Sequence, residues 1–182
     1  MKALILNGPG KPFSIETIED PTPQKGYAVA KVLACGSGLT IQHVKAGRIT
    51  VNYPRIIGHE IVGEIVEING QGGDLEIGIP VTAFFYLTCG HCRWCNIDRE
   101  TLCDNFRGYI GREIDGGYAE YIKLPIENFI KIPEEIDYKN NLLETAVVCD
   151  AVATPLKIIN KARISSFDKV GVIGAGGGLG IH

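Results

Sequence analysis

The run Ile61-Val62-Gly63-Glu64-Ile65-Val66-Glu67-Ile68, followed by the turn-forming residues Asn69-Gly70-Gln71-Gly72-Gly73, shows the pattern that predicts the fold class. It is short, rich in Val and Ile, and ends in glycines, as β-strands do. Comparable segments recur up to about Pro133, each flanked by Gly, Pro or Asp. They cover residues 2–6, 27–34, 81–86 and 118–124. The pattern predicts a mainly β domain of the barrel or sandwich type with some helices.

The sequence changes character after residue 140. Apolar residues follow helical spacing over residues 140–161, and Pro155 must begin a new helix or kink an old one, so two helices are expected there. Residues 170–173 predict a buried strand that runs into the glycine-rich stretch 174–182. Such a turn holds phosphate at the N-terminus of a following helix. The chain is therefore expected to be a fragment that reaches the entrance of a second domain.

Composition excludes several classes of function. The 182 residues carry a formal net charge of -3 and are 45% hydrophobic, which predicts a folded globular protein with neither nucleic acid nor an anionic membrane as partner. No apolar run reaches the roughly 18 to 20 residues of a membrane-spanning helix. The first ten residues hold too few apolar side chains for a secretion signal, so a cytoplasmic location is expected.

The strongest motif is a cluster of cysteines. Cys89, Cys92, Cys95 and Cys103 have the spacing C-x2-C-x2-C-x7-C, which predicts one tetrahedral four-thiolate zinc site of the structural kind. A bacterial iron–sulfur motif would have three residues between the third and fourth Cys and a Pro after the fourth. Here seven residues separate Cys95 from Cys103, and Asp104 follows. A closed four-thiolate site leaves no position for substrate, so it stabilises a lobe and does not catalyse.

Four motifs in a fixed order carry a family resemblance. They are Gly58-His59-Glu60 with the strand Ile61-Val62-Gly63-Glu64-Ile65-Val66, the cysteine cluster, Asp115-Gly116-Gly117-Tyr118-Ala119-Glu120-Tyr121, and the terminal Ala175-x-Gly177-x-x-Gly180 turn. Because of these motifs, the sequence resembles the zinc-containing medium-chain alcohol dehydrogenase family, and the resemblance covers essentially the whole chain. The resemblance implies a GroES-like catalytic domain over residues 1–150 with a structural-zinc lobe at about 86–110. Residues 151–182 would then be a connecting helix and the first strand and turn of a Rossmann domain.

The same resemblance implies the cofactor and the substrate class. Thr154, Ala175, Gly177 and Gly180 match positions that contact NAD or NADP, and the acidic residue that would distinguish the two cofactors is expected about 20 positions further on. The implied reaction is hydride transfer between the cofactor and a small alcohol or carbonyl substrate. Members of the family usually form homo-oligomers.

The second metal site of the family is where this sequence departs from the pattern. The family's ligand Cys falls on Gly38 and its usual Asp falls on Ile41, and neither residue has a donor atom in its side chain. His59 remains as a candidate ligand. Asp150 and Cys149 are alternatives for a further ligand, with the alignment of Thr154 favouring Asp150, and Cys35 could substitute only if its loop is rearranged.

The remaining candidate catalytic residues would take part in proton transfer. Thr40 and His43 match the hydroxyl and imidazole of the family's proton relay, and Glu60 lies beside the metal candidates. Three hypotheses follow: a metal-assisted dehydrogenase or reductase, a zinc-poor reductase of the same family, and a non-catalytic zinc-stabilised module whose site has decayed. Residues 148–155 also resemble members that act on alicyclic acyl-CoA alcohols.

Overall fold

The computed structural model describes residues 1–182 as two antiparallel sheets with helices at one end. The strands are β1 (Lys2–Leu6), β2 (Phe13–Thr17), β3 (Tyr27–Cys35), β4 (Arg55–Ile56), β5 (Ile61–Asn69), β6 (Pro80–Ala83), β7 (Tyr121–Pro125) and β8 (Phe129–Lys131). The first sheet has the order β2-β1-β4 and the second the order β7-β3-β5-β6-β8. The expected mainly β architecture is confirmed.

The β3–β5 pair lies at the centre of the larger sheet. The two strands pair antiparallel from Tyr27 opposite Asn69 to Cys35 opposite Ile61, with shifts in register at Val29/Ala30 and at Val32/Ala34. Gly63 sits beside the second irregularity, where a Cβ atom would lie 2.4 Å from the carbonyl oxygen of Lys31. The close approach of the two backbones therefore requires glycine at this position.

The main core lies against this sheet. Each fully buried Val, Leu or Ile side chain contributes about 1.5–3 kcal/mol through removal of apolar surface from water. The twelve buried residues of this core are Ala28, Ala30, Ile61, Ile65, Leu75, Val81, Ala83, Leu87, Ile110, Ile122, Leu124 and Phe129. A second cluster joins the first sheet to helix α1 (Leu39–Lys45), which buries Ile41 and Val44.

The C-terminal helices form one continuous helical segment. Helix α2 (Leu142–Val147) passes into a π-helical turn (Val148–Val152) and then into α3 (Ala153–Ala162). Pro155 is the third residue of α3, directly after the π-helical turn, so its missing N–H falls where the regular hydrogen-bond pattern of the segment is already interrupted. Two helices with a proline at the start of the second agree with the sequence-based expectation. No helix of the chain has the length and apolar character needed to cross a membrane.

Several local expectations differ from the structure. The strand expected over residues 170–173 does not form, because no neighbouring strand pairs with it and an isolated strand leaves its backbone groups unpaired. Ile173 is fully exposed there. Strand β6 ends at Ala83 rather than at Tyr86, and β7 begins at Tyr121 rather than at Tyr118. The strands β2, β4 and β8 and the helix α1 were not predicted.

Candidate functional site

The four cysteines of the motif meet at one point in the lobe between β6 and β7. Their sulfur atoms all lie within 4.8 Å of one another. The Sγ–Sγ distances are 3.5 Å for Cys92–Cys95, 3.9 Å for Cys92–Cys103 and 3.5 Å for Cys103–Cys89. Four sulfurs at about 2.3 Å from a tetrahedral zinc ion are separated by about 3.8 Å. The donor set and its spacing therefore fit zinc.

Short local structure builds this lobe. The 3-10 turns Cys95–Ile97 and Glu100–Leu102 place the third and fourth sulfurs, and the backbone N–H of Cys89 donates to the sulfur of Cys103 at 3.4 Å. A hydrogen bond from the backbone of His91 is the main cause that lowers the pKa of Cys89 to about 6, which favours the thiolate. The His91 ring is exposed and its Nδ1 lies 2.6 Å from the carbonyl oxygen of Cys89, outside the sulfur cluster.

A second cluster lies where the sequence between β4 and β5 meets the π-helical turn. His59 Nε2 and Asp150 Oδ2 are 3.1 Å apart, and both side chains are largely buried. The Thr154 hydroxyl donates to Asp150 Oδ1 at 2.9 Å. The hydrogen bond from His59, followed by the one from Thr154, holds the pKa of Asp150 below its usual range despite burial. The site thus contains an ionised carboxylate fixed against an imidazole.

The glycine before His59 lets the backbone pass close to two other side chains. Gly58 has φ +98°, and a Cβ atom there would lie 2.7 Å from the Tyr118 ring and 2.8 Å from Cys35 Sγ. Only glycine meets both conditions. The His59 ring also packs against Phe85, with centroids 4.8 Å apart.

The spacing of His59 and Asp150 matches two corners of a metal site. Two N/O ligands at about 2.0–2.1 Å from a tetrahedral zinc ion are separated by roughly 3.3 Å. No third ligand atom from a His, Cys, Asp or Glu side chain lies as close to this pair as the four cysteine sulfurs lie to one another. The pair therefore fits a metal at two positions, and a third ligand would require a side-chain rotation.

Glu60 is the nearest carboxylate to the position that lacks a donor. Its residue is 5% exposed, and burial is the main cause that raises its pKa, with Asp150 acting in the same direction and His59 in the opposite one. A Cβ atom on Gly36 would lie 2.4 Å from Glu60 Oε2, and one on Gly38 would lie 3.8 Å from it. The Glu60 carboxylate thus occupies the space beside the residues where the family places its ligand cysteine.

The two other cysteines are buried thiols. Burial raises the pKa of Cys35 far above its usual range and that of Cys149 to about 11, so neither is ionised at neutral pH without a metal. Cys149 Sγ contacts the carbonyl oxygens of His59, at 3.9 Å, and Ala146, at 3.7 Å. Of the two alternatives at this position, the structure brings Asp150 to the His59 ring.

Thr40 and His43 lie in helix α1, which the sequence did not predict. Their spacing of three residues places them on the same side of the helix. The Nε–H of Arg48 donates to His43 Nδ1 at 2.7 Å, a contact that the sequence analysis missed. Ala175, Gly177 and Gly180 lie in a series of turns that no strand precedes.

An aromatic group beside His59 was also missed. Phe85 stacks near Tyr86 and Tyr109, with centroid distances of 4.8 Å and 6.3 Å. Phe84 and Phe106 extend the group, at 5.4 Å and 5.9 Å from the Tyr86 ring. The signal in the sequence was the aromatic triplet 84–86 directly before the cysteine motif. These partly exposed rings form one apolar wall of the cluster.

The comparisons with known proteins agree with this architecture. Residues 24–134 match the model of the alcohol dehydrogenase GroES-like domain. An alcohol dehydrogenase of Geobacillus stearothermophilus is 34% identical over 97% of this chain and 52% of its own length. An acryloyl-coenzyme A reductase of Sulfurisphaera tokodaii is 31% identical over 100% of this chain and 54% of its own length.

A solved structure of a related protein has the same fold. The cobalt- and zinc-bound thermostable alcohol dehydrogenase from Pyrobaculum aerophilum superposes with a TM-score of 0.90 at 30% identity, over 100% of this chain and 54% of that one. The fold, the cysteine lobe and the matched domain define a zinc-type oxidoreductase architecture. The chain belongs to the alcohol dehydrogenase GroES-like domain family. It spans about half the length of the relatives that it matches.

Proposed function

We propose that the protein is a nicotinamide-dependent oxidoreductase that transfers a hydride between NAD or NADP and an alcohol or carbonyl substrate. The observation that carries the proposal is the His59–Asp150 pair, 3.1 Å apart, beside the Glu60 carboxylate in a GroES-like domain. Residues 1–150 would form the catalytic domain and residues 151–182 the start of the dinucleotide-binding domain. Ala175, Gly177 and Gly180 would lie at the cofactor phosphates, and Thr154 beside the nicotinamide.

The residues of the second cluster have distinct roles in this proposal. His59 Nε2 and Asp150 Oδ2 would hold a zinc ion, with Glu60 or Cys35 as the third ligand. Bound there, zinc supplies Lewis acidity, which polarises the substrate oxygen and lowers the pKa of a hydroxyl group. Thr154 holds the other carboxylate oxygen of Asp150, so that Oδ2 stays directed at His59.

Proton transfer would use the polar side of helix α1. Thr40 would exchange a proton with the substrate oxygen and His43 would connect it to solvent, because a hydroxyl group and an imidazole can each give up one proton while taking up another. The aromatic wall at Phe85, Tyr86 and Tyr109 would exclude water from the position of hydride transfer.

A zinc-poor reductase is the second candidate. Gly38 offers no donor at the family's ligand position, and a hydrogen bond already joins His59 to Asp150 without a metal. In such an enzyme the polar side chains alone would orient a carbonyl or an activated double bond beside the nicotinamide.

Elemental analysis of the purified, dialysed full-length protein separates the two candidates. Two zinc ions per chain support metal-assisted hydride transfer, and one zinc ion confines the metal to the cysteine lobe. Asp150→Asn should lower a stoichiometry of two to one and reduce turnover, while Asp74→Asn, at an exposed loop position, should change neither. Failure to oxidise or reduce either cofactor with a broad panel of alcohols, aldehydes, ketones and enones would favour a non-catalytic module.

The same family resemblance is the basis for a proposal on the oligomeric state and the cellular location. We propose a cytoplasmic homo-oligomer that acts on small molecules and has neither nucleic acid nor a membrane as partner. The net charge of -3 and the mixture of acidic and basic residues support the absence of polyanionic partners. Size-exclusion chromatography with light scattering on the full-length protein tests the oligomeric state.

A further inference from the structure

The side chain of Arg48 contacts His43 in a way that determines the protonation of the imidazole. Arg48 Nε lies 2.7 Å from His43 Nδ1. A guanidinium group only donates and does not lose its proton in proteins, so Nδ1 must be the acceptor. A neutral imidazole has one N–H, and with Nδ1 accepting, that proton is on Nε2.

The backbone builds this contact. Helix α1 ends at Lys45 with Ala46 as its C-cap, and Gly47 then reverses the chain with φ +73°. The backbone N–H groups of Arg48 and Ile49 both donate to the carbonyl oxygen of His43, at 2.9 Å and 3.3 Å. A Cβ atom on Gly47 would lie 2.8 Å from the Cβ atom of Pro9, so the turn also packs closely against the loop after β1.

We propose that Arg48 is a positioning residue that holds His43 in the Nε2–H tautomer with its Nδ1 lone pair occupied. Uptake of a second proton at Nδ1 and the contact with Arg48 exclude each other. His43 therefore presents Nε2–H, as a hydrogen-bond donor, to any group that it meets. The consequence for turnover rests on the proposed function, in which a proton passes from Thr40 to His43. The imidazole can accept that proton only at Nδ1, once the Arg48 contact opens, while Nε2–H releases its own proton to solvent. The tautomer itself does not rest on that function.

Nuclear magnetic resonance of the ¹⁵N-histidine-labelled full-length protein tests the tautomer directly. The chain described here contains four histidines, and the His43 signals can be assigned by their loss in His43→Gln. We expect the Nε2–H form in the wild type and a mixture of both tautomers in Arg48→Met. Arg48→Lys, which keeps a donor, should retain more of the Nε2–H form than Arg48→Met.

The matched control is Lys25→Met, which removes an exposed positive charge from the turn before β3 and should give the wild-type spectrum. A wild-type His43 that carries its proton on Nδ1, or an Arg48→Met spectrum that equals the wild type, would overturn the proposal. If Arg48→Met fails to fold, Arg48→Ala, which also removes the donor, supplies the same test.

Kinetics separate this proposal from the proposed function. If the protein is an oxidoreductase whose turnover is limited by proton transfer through His43, Arg48→Met should raise kcat for alcohol oxidation by about 3- to 10-fold, because Nδ1 is then free to accept the proton. The KM for the nicotinamide cofactor should stay within about twofold of the wild type, since Arg48 acts through His43. Absence of any turnover would refute the proposed function alone, and an unchanged tautomer in an active enzyme would refute the role of Arg48 alone.

Discussion

The Tyr138 hydroxyl donates a hydrogen bond to Glu64 Oε1 and so joins the segment before α2 to strand β5. Partial burial and the neighbouring carboxylate raise the pKa of Tyr138 to about 12. In the unfolded chain a tyrosine has a pKa of about 10. The folded state therefore retains a proton that the unfolded state loses between these two values.

Tyr138→Phe should lower the free energy of unfolding by about 1–2 kcal/mol at neutral pH, the contribution of a hydrogen bond to a charged group. Because the folded pKa is raised, the advantage of the wild type is complete below about pH 10 and is lost as the pH rises to about 12. Urea unfolding at several pH values checks this. Tyr121→Phe, on β7, is the matched control, and an equal effect of both variants would contradict the prediction.

Individual site residues differ in how far the sequence could predict them. The four cysteines were predictable because metal-ligand spacing is local. His59 and Asp150 are 91 positions apart, and their proximity depended on family resemblance until the structure placed them at 3.1 Å. The contact of Arg48 with His43 depends on a helix end and a glycine turn that no motif indicates.

At the scale of elements, Gly63 allows the backbones of β3 and β5 to approach each other closely. A Cβ atom there would lie 2.4 Å from a backbone carbonyl oxygen, and backbone cannot move aside as a flexible side chain can. We expect Gly63→Ala to lower the free energy of unfolding by about 1–3 kcal/mol, the usual cost of overpacking. Urea unfolding measures this difference.

The matched control is Gly171→Ala, where no heavy atom lies within 4 Å of the added Cβ and φ is not positive. Its effect should be close to zero. A loss of stability at Gly171 as large as that at Gly63 would show that the close approach of the strands is not the cause.

The strength of the apolar pattern in each element explains which elements could be predicted from the sequence. Strands β1, β3 and β5 carry long runs of Val, Ile, Leu and Ala and were predicted almost to the residue. Strand β2 is an edge strand whose residues are all partly or fully exposed, and β4 and β8 are two and three residues long, so none has a strong apolar pattern. Helix α1 begins at Leu39, and its N-cap residue, Gly38, has no side chain to cap the helix, so the usual start signal is absent from the sequence.

At the scale of the whole molecule, the cysteine lobe and the sheets have different sources of stability. Within the lobe, backbone pairing is limited to short turns, an isolated bridge between Tyr86 and Tyr109, and hydrogen bonds that link Leu87 to Arg107 and Gly108. The sheets instead enclose a core of twelve buried residues, and only Leu87 and Ile110 of that core lie at the base of the lobe. Metal binding in such a lobe supplies folding free energy that its small apolar content cannot.

Removal of zinc should therefore unfold the lobe while the sheets stay folded. With a strong chelator, trypsin should cleave after Arg93 and Arg99, both exposed in the lobe, at least about 10-fold faster than in the zinc-loaded protein, because local opening controls proteolysis. Cleavage after Lys31, on the central strand β3, should remain slow and serves as the internal control. Cys103→Ser should behave like the chelated protein, and equally fast cleavage at Lys31 and Arg93 would mean that the zinc site supports the whole fold rather than its lobe.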